Sequence, residues 1–258
     1  MKRFWILLVI VAVLLSAAVA VALTFPAAVA WGWISERAPD VRLQGVDGTV
    51  WNGKATRISV RGQVLGRLQW RLSPWQLLGG NPRLYLEVDG PGLKLAGELL
   101  RHDAEHIAIE HLNVETEAGW LAPALAIPEL EPTGMLVSQD ASLILARTGL
   151  PRALDARIEW REAGVRGQVI ARLGTLLIEA RGKDGRIDAE VRDNGDGEVQ
   201  IEGKASIDQN RYRSEVVLVP RVSEGPVVEA LQWVGQPRPE GGRLLIVEGT
   251  IILPGASL

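Results

Sequence analysis

Between Leu43 and Gly80 apolar side chains return at every second position, and turn formers interrupt them at short intervals. Period two is the spacing of a strand with one buried face, so this stretch is committed to β-structure. Gly45, Asp47, Gly48, Asn52 and Gly53 supply the turns. Leu68, Trp70 and Leu72 point one way while Arg67, Gln69 and Arg71 point the other. Ser73-Pro74 then reads as an N-cap with a first-turn proline and Gly79-Gly80 as a stop, so Trp75 to Leu78 form about one helical turn that plugs the open end of the strand layer.

The same grammar runs to the end of the chain. Leu84, Leu86 and Val88 alternate with Arg83, Tyr85 and Glu87, and Asp89-Gly90-Pro91-Gly92 forces a reversal. Ile107 and Ile109, with Leu112 and Val114 less regularly, mark another strand. Strands are expected from Gly134, over Ala141 to Ala146, Ala156 to Arg161, Val165 to Ile170, Leu173 to Ala180, Ile187 to Val191, Val199 to Ala205 and Tyr212 to Val219. Their short joins predict an antiparallel meander. The proline-rich stretch from Gly119 to Pro132 lacks ladder donors and reads as a connector between two halves, 43–132 and 133–258. Ala156 to Arg161 repeats the pattern of Arg67 to Arg71, with Trp160 in the place of Trp70. One further helix is expected, capped by Ser223, with Val227, Val228, Leu231 and Val234 on one face, Trp233 near it, and Gly235 as its stop. The apolar run after Arg243 suggests burial on both sides or a concave face with a greasy occupant.

Compartment is read from the N-terminus. After Lys2 and Arg3 no charge occurs until Glu36, and about 20 apolar residues suffice to span a bilayer as helix. The expected layout is a cytoplasmic 1–3, a transmembrane signal anchor over 4–25, and a juxtamembrane linker over 26–42. Lys2 and Arg3 sit at the inner interface, and Trp31 and Trp33 serve as outer interface anchors. The rival is a cleaved leader, for which Ala18-Val19-Ala20, Ala20-Val21-Ala22 and Ala28-Val29-Ala30 offer small-residue sites; the length of the apolar run favours the anchor. A net charge of -3 and a pI near 5.8 argue against nucleic acid. The absence of cysteine excludes disulfides, thiolate metal sites and cysteine nucleophiles.

Candidate chemistry is sparse. His102-Asp103-Ala104-Glu105-His106 matches H-x-x-E-H, but that metal motif works on a helix, and here it joins two alternating stretches as a solvated hairpin turn. Asp193-Asn194-Gly195-Asp196-Gly197 lacks the ligand spacing of a calcium loop and reads as a tight turn. No nucleophile elbow or phosphate-binding glycine loop occurs, so no catalytic, metal or cofactor residue is assigned. Trp70 and Trp160 are expected in the core, whereas Trp51 and Trp75, beside turns, suit either core or a contact groove.

The run Leu43-Gln44-Gly45, Gly48-Thr49-Val50-Trp51-Asn52-Gly53-Lys54-Ala55, Leu65, Leu68, Trp70, Leu72, Pro74 and Leu77-Leu78 resembles the opening motif of type II secretion system protein N, in which a glycine, threonine and tryptophan stretch follows a membrane helix and a strand ending in tryptophan leads to proline and paired leucines. The resemblance implies a non-enzymatic accessory component of the type II secretion system, anchored in the bacterial inner membrane with most of the chain periplasmic. Its implied partners are the inner-membrane platform and the outer-membrane secretin, with inner-membrane lipid around the anchor. Gly45, Gly48, Thr49, Trp51, Gly53, Trp70, Pro74, Leu77 and Leu78 are its candidate contact residues. The fold expected is a single N-terminal transmembrane helix followed by a curved, mostly antiparallel β-sheet domain with a few short helices. The architecture alone also suits an AsmA-like lipid-binding or lipid-transfer protein.

Overall fold

The computed structural model describes residues 12–14, 16–17, 19–121, 130–146, 149–167, 170–208 and 211–250. The chain is mainly β and antiparallel, with few short helices, and divides into two compact units at Pro91/Gly92. This division does not coincide with the proline-rich connector expected near Pro132. The reason lies in the strands that flank the connector, which pair with each other over most of their length and so belong to one unit.

In the first unit the described residues between 12 and 23 are helical, and α1 follows over Ala27–Ser35. Among the described residues no helix is long and apolar enough to cross a membrane. Residues 4–11, 15 and 18 of the expected span, with Lys2 and Arg3, lie outside them. Pro26 does interrupt the helix, as a proline without an N–H should, but the expected linker after it is largely helical. A four-strand meander comes next: β1 (Val41–Gly48), β2 (Asn52–Val60), β3 (Gln63–Leu72) and β4 (Arg83–Asp89), with α2 (Pro74–Leu78) between the last two. Register aligns Ala55 with Leu68 and Leu68 with Val88, and these three form a buried row across the sheet while Arg67, Gln69 and Arg71 face water. α1 packs against β1.

The second unit contains β5 (Leu93–Arg101), β6 (His106–Glu117), a 3-10 turn (Ala118–Leu121), β7 (Leu130–Ala146), β8 (Pro151–Gly167), β9 (Ala171–Lys183), β10 (Arg186–Asp193), β11 (Val199–Asp208), β12 (Arg211–Pro220), α3 (Pro226–Gln232), β13 (Gln236–Pro237) and β14 (Arg243–Thr250). Each strand from β6 to β12 pairs with its predecessor, and β14 then lies between β12 and β13.

Several expected strands prove to be halves of longer ones. Gly134 and Ala141 to Ala146 belong to β7, and Ala156 to Arg161 joins Val165 in β8. The breaks in alternation are β-bulges rather than turns: Asp140 (φ 54°) and Glu162 (φ 49°) take left-handed backbone at register shifts, and the strand continues beyond. The irregular spacing of Leu112 and Val114 has the same origin in His111 (φ 50°).

The densest core of this unit lies where α3 meets the sheet. Val227 and Leu231, one turn apart, pack with Leu176, Val199 and Ile201, each such side chain contributing roughly 1.5 to 3 kcal/mol on burial. Arg243 closes the helix, its guanidinium donating to the carbonyl oxygen of Gln232 (2.9 Å), one of those a helix end otherwise leaves unpaired, and to those of Val234 (2.8 Å) and Gly235 (2.8 Å) just beyond it. Trp233 is not on the apolar face; it is 89% exposed. The final apolar strand is not buried on both sides either, since Ile246 and Val247 remain about two-fifths exposed. Residues 251–253 of that run lie outside the described residues.

Candidate contact site

The motif residues gather at one end of the first unit. β1 and β2 meet in the turn Gly48-Thr49-Val50-Trp51-Asn52-Gly53, where Gly48 (φ 89°) faces Gly53 across the ladder. The Thr49 amide donates to the Asn52 carbonyl oxygen (2.9 Å) and the Asn52 amide to Thr49 Oγ1 (3.1 Å), so threonine fixes the turn from both sides. Gly53 stands opposite Trp70 in register, and the indole lies over the bare α-carbon; a β-carbon there would sit 2.2 Å from the ring. Trp70 Nε1–H donates to the Val50 carbonyl oxygen at 3.2 Å. A glycine is therefore required beneath the tryptophan, and the pair holds the turn to β3. Gly45 (φ 62°) sits higher in β1, unpaired opposite Thr56, whose hydroxyl bonds back to the Gln44 carbonyl oxygen (2.9 Å).

This turn grips the chain that precedes it. Trp51 Nε1–H donates to the Ala22 carbonyl oxygen (2.7 Å), satisfying one of the acceptors that the end of a helix leaves free. The Val50 amide donates to the Phe25 carbonyl oxygen (3.1 Å), and Pro26 forms a bridge with Thr49. The Leu72 amide at the end of β3 donates to the Trp51 carbonyl oxygen (2.7 Å). The leader, the β1–β2 turn and the start of α2 thus meet at one place.

Gly48, Thr49, Trp51, Gly53 and Trp70 form this cluster directly, and Pro74 and Leu77 stand beside it on α2. Ser73 occupies the N-cap, but its side chain makes no cap bond; its carbonyl oxygen accepts from the Leu77 amide (3.2 Å). α2 does not plug the sheet as expected, because Trp75 is 78% and Leu77 46% exposed. Leu78 ends this helix. Trp31 and Trp33 lie on α1, the former half-buried and the latter exposed, with the Trp33 ring 5.5 Å from that of Phe25.

The tryptophan device recurs in the second unit. Trp160 Nε1–H donates to the Thr133 carbonyl oxygen (2.8 Å), next to Gly134 (φ 99°), and the ring packs on the α3 core. Both Trp70 and Trp160 are partly buried with the N–H satisfied by a backbone carbonyl, of the β1–β2 turn for Trp70 and of β7 for Trp160, as a core indole needs.

His102 to His106 forms the hairpin between β5 and β6, not a helix. Asp103 accepts from the amides of Glu105 (2.7 Å) and His106 (2.8 Å) and lies 2.8 Å from His106 Nδ1. The Glu105 amide first, and then the bond to the His106 imidazole, hold its pKa below the ordinary aspartate value. Among the described residues no three His, Cys, Asp or Glu side chains converge as a metal cage.

The loop from Asp193 to Gly197 is a turn, and it is pinned on both flanks. Asp196 Oδ1 accepts from the Thr175 amide (2.7 Å), and this bond is the chief cause of its lowered pKa. Asp193 is nearly buried and accepts from the amides of Ile201 (2.7 Å) and Gly195 (2.8 Å) and from the Arg221 guanidinium. Burial is the largest single influence on Asp193 and pushes its pKa up, but the Ile201, Arg221 and Gly195 bonds together outweigh it, and the net shift is downward. Arg221 also donates to the carbonyl oxygen of Val199 (2.8 Å). His111 and Asp140, both left-handed bulge residues, face each other with Nδ1 2.7 Å from Oδ1; that hydrogen bond, reinforced by the carboxylate charge, raises the histidine pKa. Sequence reasoning passed over these pairs. The broken alternation at His111 was the one available signal, and nothing local ties Asp193 to an arginine in another loop.

A family model described as type II secretion system (T2SS), protein N, matches residues 39–245. A relative called type II secretion system protein N, from Aeromonas hydrophila, is 28% identical over 225 residues, covering 82% of this chain and 85% of its own. No solved structure matches the chain significantly.

Proposed function

Because the chain belongs to the type II secretion system protein N family, we propose that it is a non-enzymatic accessory component of that system, moored in the inner membrane by residues 4–25 with its β-units in the periplasm. The observation that carries this reading is the bond from Trp51 to the Ala22 carbonyl oxygen, with Val50 to Phe25 beside it. A motif built around the end of the leader supports a retained leader over one that is removed. In this reading Gly45, Gly48, Thr49, Trp51, Gly53, Trp70, Pro74, Leu77 and Leu78 shape the contact region for the inner-membrane platform or the secretin. In this reading catalysis is no part of it: the cluster is made of glycine, tryptophan, backbone amides and a threonine hydroxyl engaged within the turn, and offers shape and stiffness.

The test is genetic and topological. In a two-membrane bacterium that carries the rest of the apparatus, deletion should strand folded exoproteins in the periplasm while phospholipid traffic stays normal. An alkaline phosphatase fusion after Thr250 should be active, and the full-length protein should sediment with inner membrane. Normal secretion with disturbed lipid traffic would replace this reading with lipid transfer.

A further inference from the structure

We propose that α2 is a membrane foot: Trp75 and Leu77 enter the interfacial layer of the bilayer in which the leader sits, with Arg71 at the anionic headgroups. The inference rests on the anchor reading and adds to it where the first unit touches lipid. α2 begins two residues after Leu72, whose amide bonds the Trp51 carbonyl oxygen, and the Trp51 indole holds the leader at Ala22. The helix is therefore delivered to the end of the sheet at which the leader arrives. Two of its large apolar side chains face solvent there, Trp75 at 78% and Leu77 at 46% exposure. A tryptophan with a free indole edge beside a leucine is the side-chain chemistry that settles at a lipid–water boundary.

Charge supports the same occupant. No Asp or Glu occurs between Asp47 and Glu87, while Lys54, Arg57, Arg61, Arg67, Arg71 and Arg83 all do. Lys54 pairs with Asp47, Arg61 with Asp40 and Arg67 with Asp89, all carboxylates outside that stretch, and Arg83 is also engaged within the fold. Arg71, next to α2, lies over the Tyr85 ring at 4.9 Å. A cation beside an exposed Trp and Leu suits an anionic bilayer surface.

The chain contains no cysteine, so single probes are simple to place. Gln76→Cys, between the two apolar residues and itself exposed, is labelled with an environment-sensitive fluorophore in the full chain, reconstituted in vesicles of phosphatidylethanolamine with a minority of phosphatidylglycerol. The expected result is blue-shifted emission, quenched more by a lipid carrying a shallow spin label than by one carrying a deep label. The shift should be lost when Trp75 and Leu77 are both changed to Ser, and weakened in phosphatidylcholine alone. Gln63→Cys, in the turn that starts β3, should remain aqueous, and Val13→Cys should be quenched most by the deep label. A quenched Val13 probe with an aqueous Gln76 probe overturns the foot while leaving the anchor intact. If both are aqueous, the anchor fails and the foot with it. A Gln76 probe unaffected by the double Ser change assigns its burial to a cause other than Trp75 and Leu77, and overturns the proposal.

Discussion

Replacing Gly53 by alanine should unfold the first unit more easily, and the size of the effect follows from one contact. The new methyl would stand 2.2 Å from Trp70 Cζ2 and 2.6 Å from Cε2, whereas carbon atoms rest at about 3.5 to 4.0 Å. The indole has to withdraw by more than about 1 Å, and that movement breaks its hydrogen bond to the Val50 carbonyl oxygen, already 3.2 Å long. Overpacking costs about 1 to 3 kcal/mol and the lost bond about 1 kcal/mol, so a total of about 2 to 4 kcal/mol is expected for Gly53→Ala. For a unit of this size the urea midpoint, followed by tryptophan emission on the full chain in micelles, should fall by about 1 to 2 M. The decisive measurement is the cycle with Trp70→Ala. The methyl also meets the Thr49 carbonyl oxygen at 2.9 Å, with or without the indole, so that part cancels. The ring contribution should appear as a coupling energy of about 1 to 3 kcal/mol between the two sites. Additive effects would refute the account of why glycine stands under this tryptophan.

The remaining expectations concern the buried and bulged pairs. Asp193→Asn should destabilise the second unit by about 2 to 3 kcal/mol near neutral pH, because it sets an amide donor against the donors from Ile201, Gly195 or Arg221. The folded pKa of Asp193 is depressed, so its stabilisation is present above the unfolded value of about 3.9 and is lost as pH falls through the folded one; urea titrations of the two proteins should converge in acid. The His111 imidazole should titrate above its ordinary value of about 6.5 by NMR and move down in Asp140→Asn. Its contribution is complete below about 6.5 and is lost as pH rises through the folded pKa, and a histidine resonance unmoved by Asp140→Asn would contradict the pairing. Arg243→Met keeps the stem and deletes three bonds to carbonyl oxygens at the end of α3; amide exchange over Pro226–Gln232 should accelerate at least about tenfold, the equivalent of about 1.4 kcal/mol.

Much of this architecture was legible in the chain because both of its cues are local. Alternation named the faces of β3 correctly, with Leu68 buried and Arg67 and Gln69 exposed, and glycine with Asp or Asn placed the hairpin turns. Bulges defeated the same logic: Asp140 and Glu162 carry no turn signature, and a single left-handed residue shifts the inward set by one, so continuous strands read as two. Boundaries between compact units were also out of reach at Pro132, since pairing between β6 and β7 depends on residues far apart in sequence. Within the motif, the glycines and tryptophans could be seen, but their partners could not. Nothing in the spacing of Trp51 reveals that its indole reaches back 29 residues to Ala22. Leu77 and Trp75, whose apolar character suggested a plug, prove to face outward because one turn of helix is too short to fold back over the sheet.

In the second unit each strand from β6 to β12 finds its partner in the strand just before it in the chain. A polypeptide emerging N-terminus first can therefore lay down this unit strand by strand, each arriving segment finding a template already in place. The growing rim stays hungry for hydrogen bonds throughout. Arg243 to Thr250 covers the free side of β12, so a ribosome stalled before residue 243 should leave that strand bare and ready to snare any stray strand nearby.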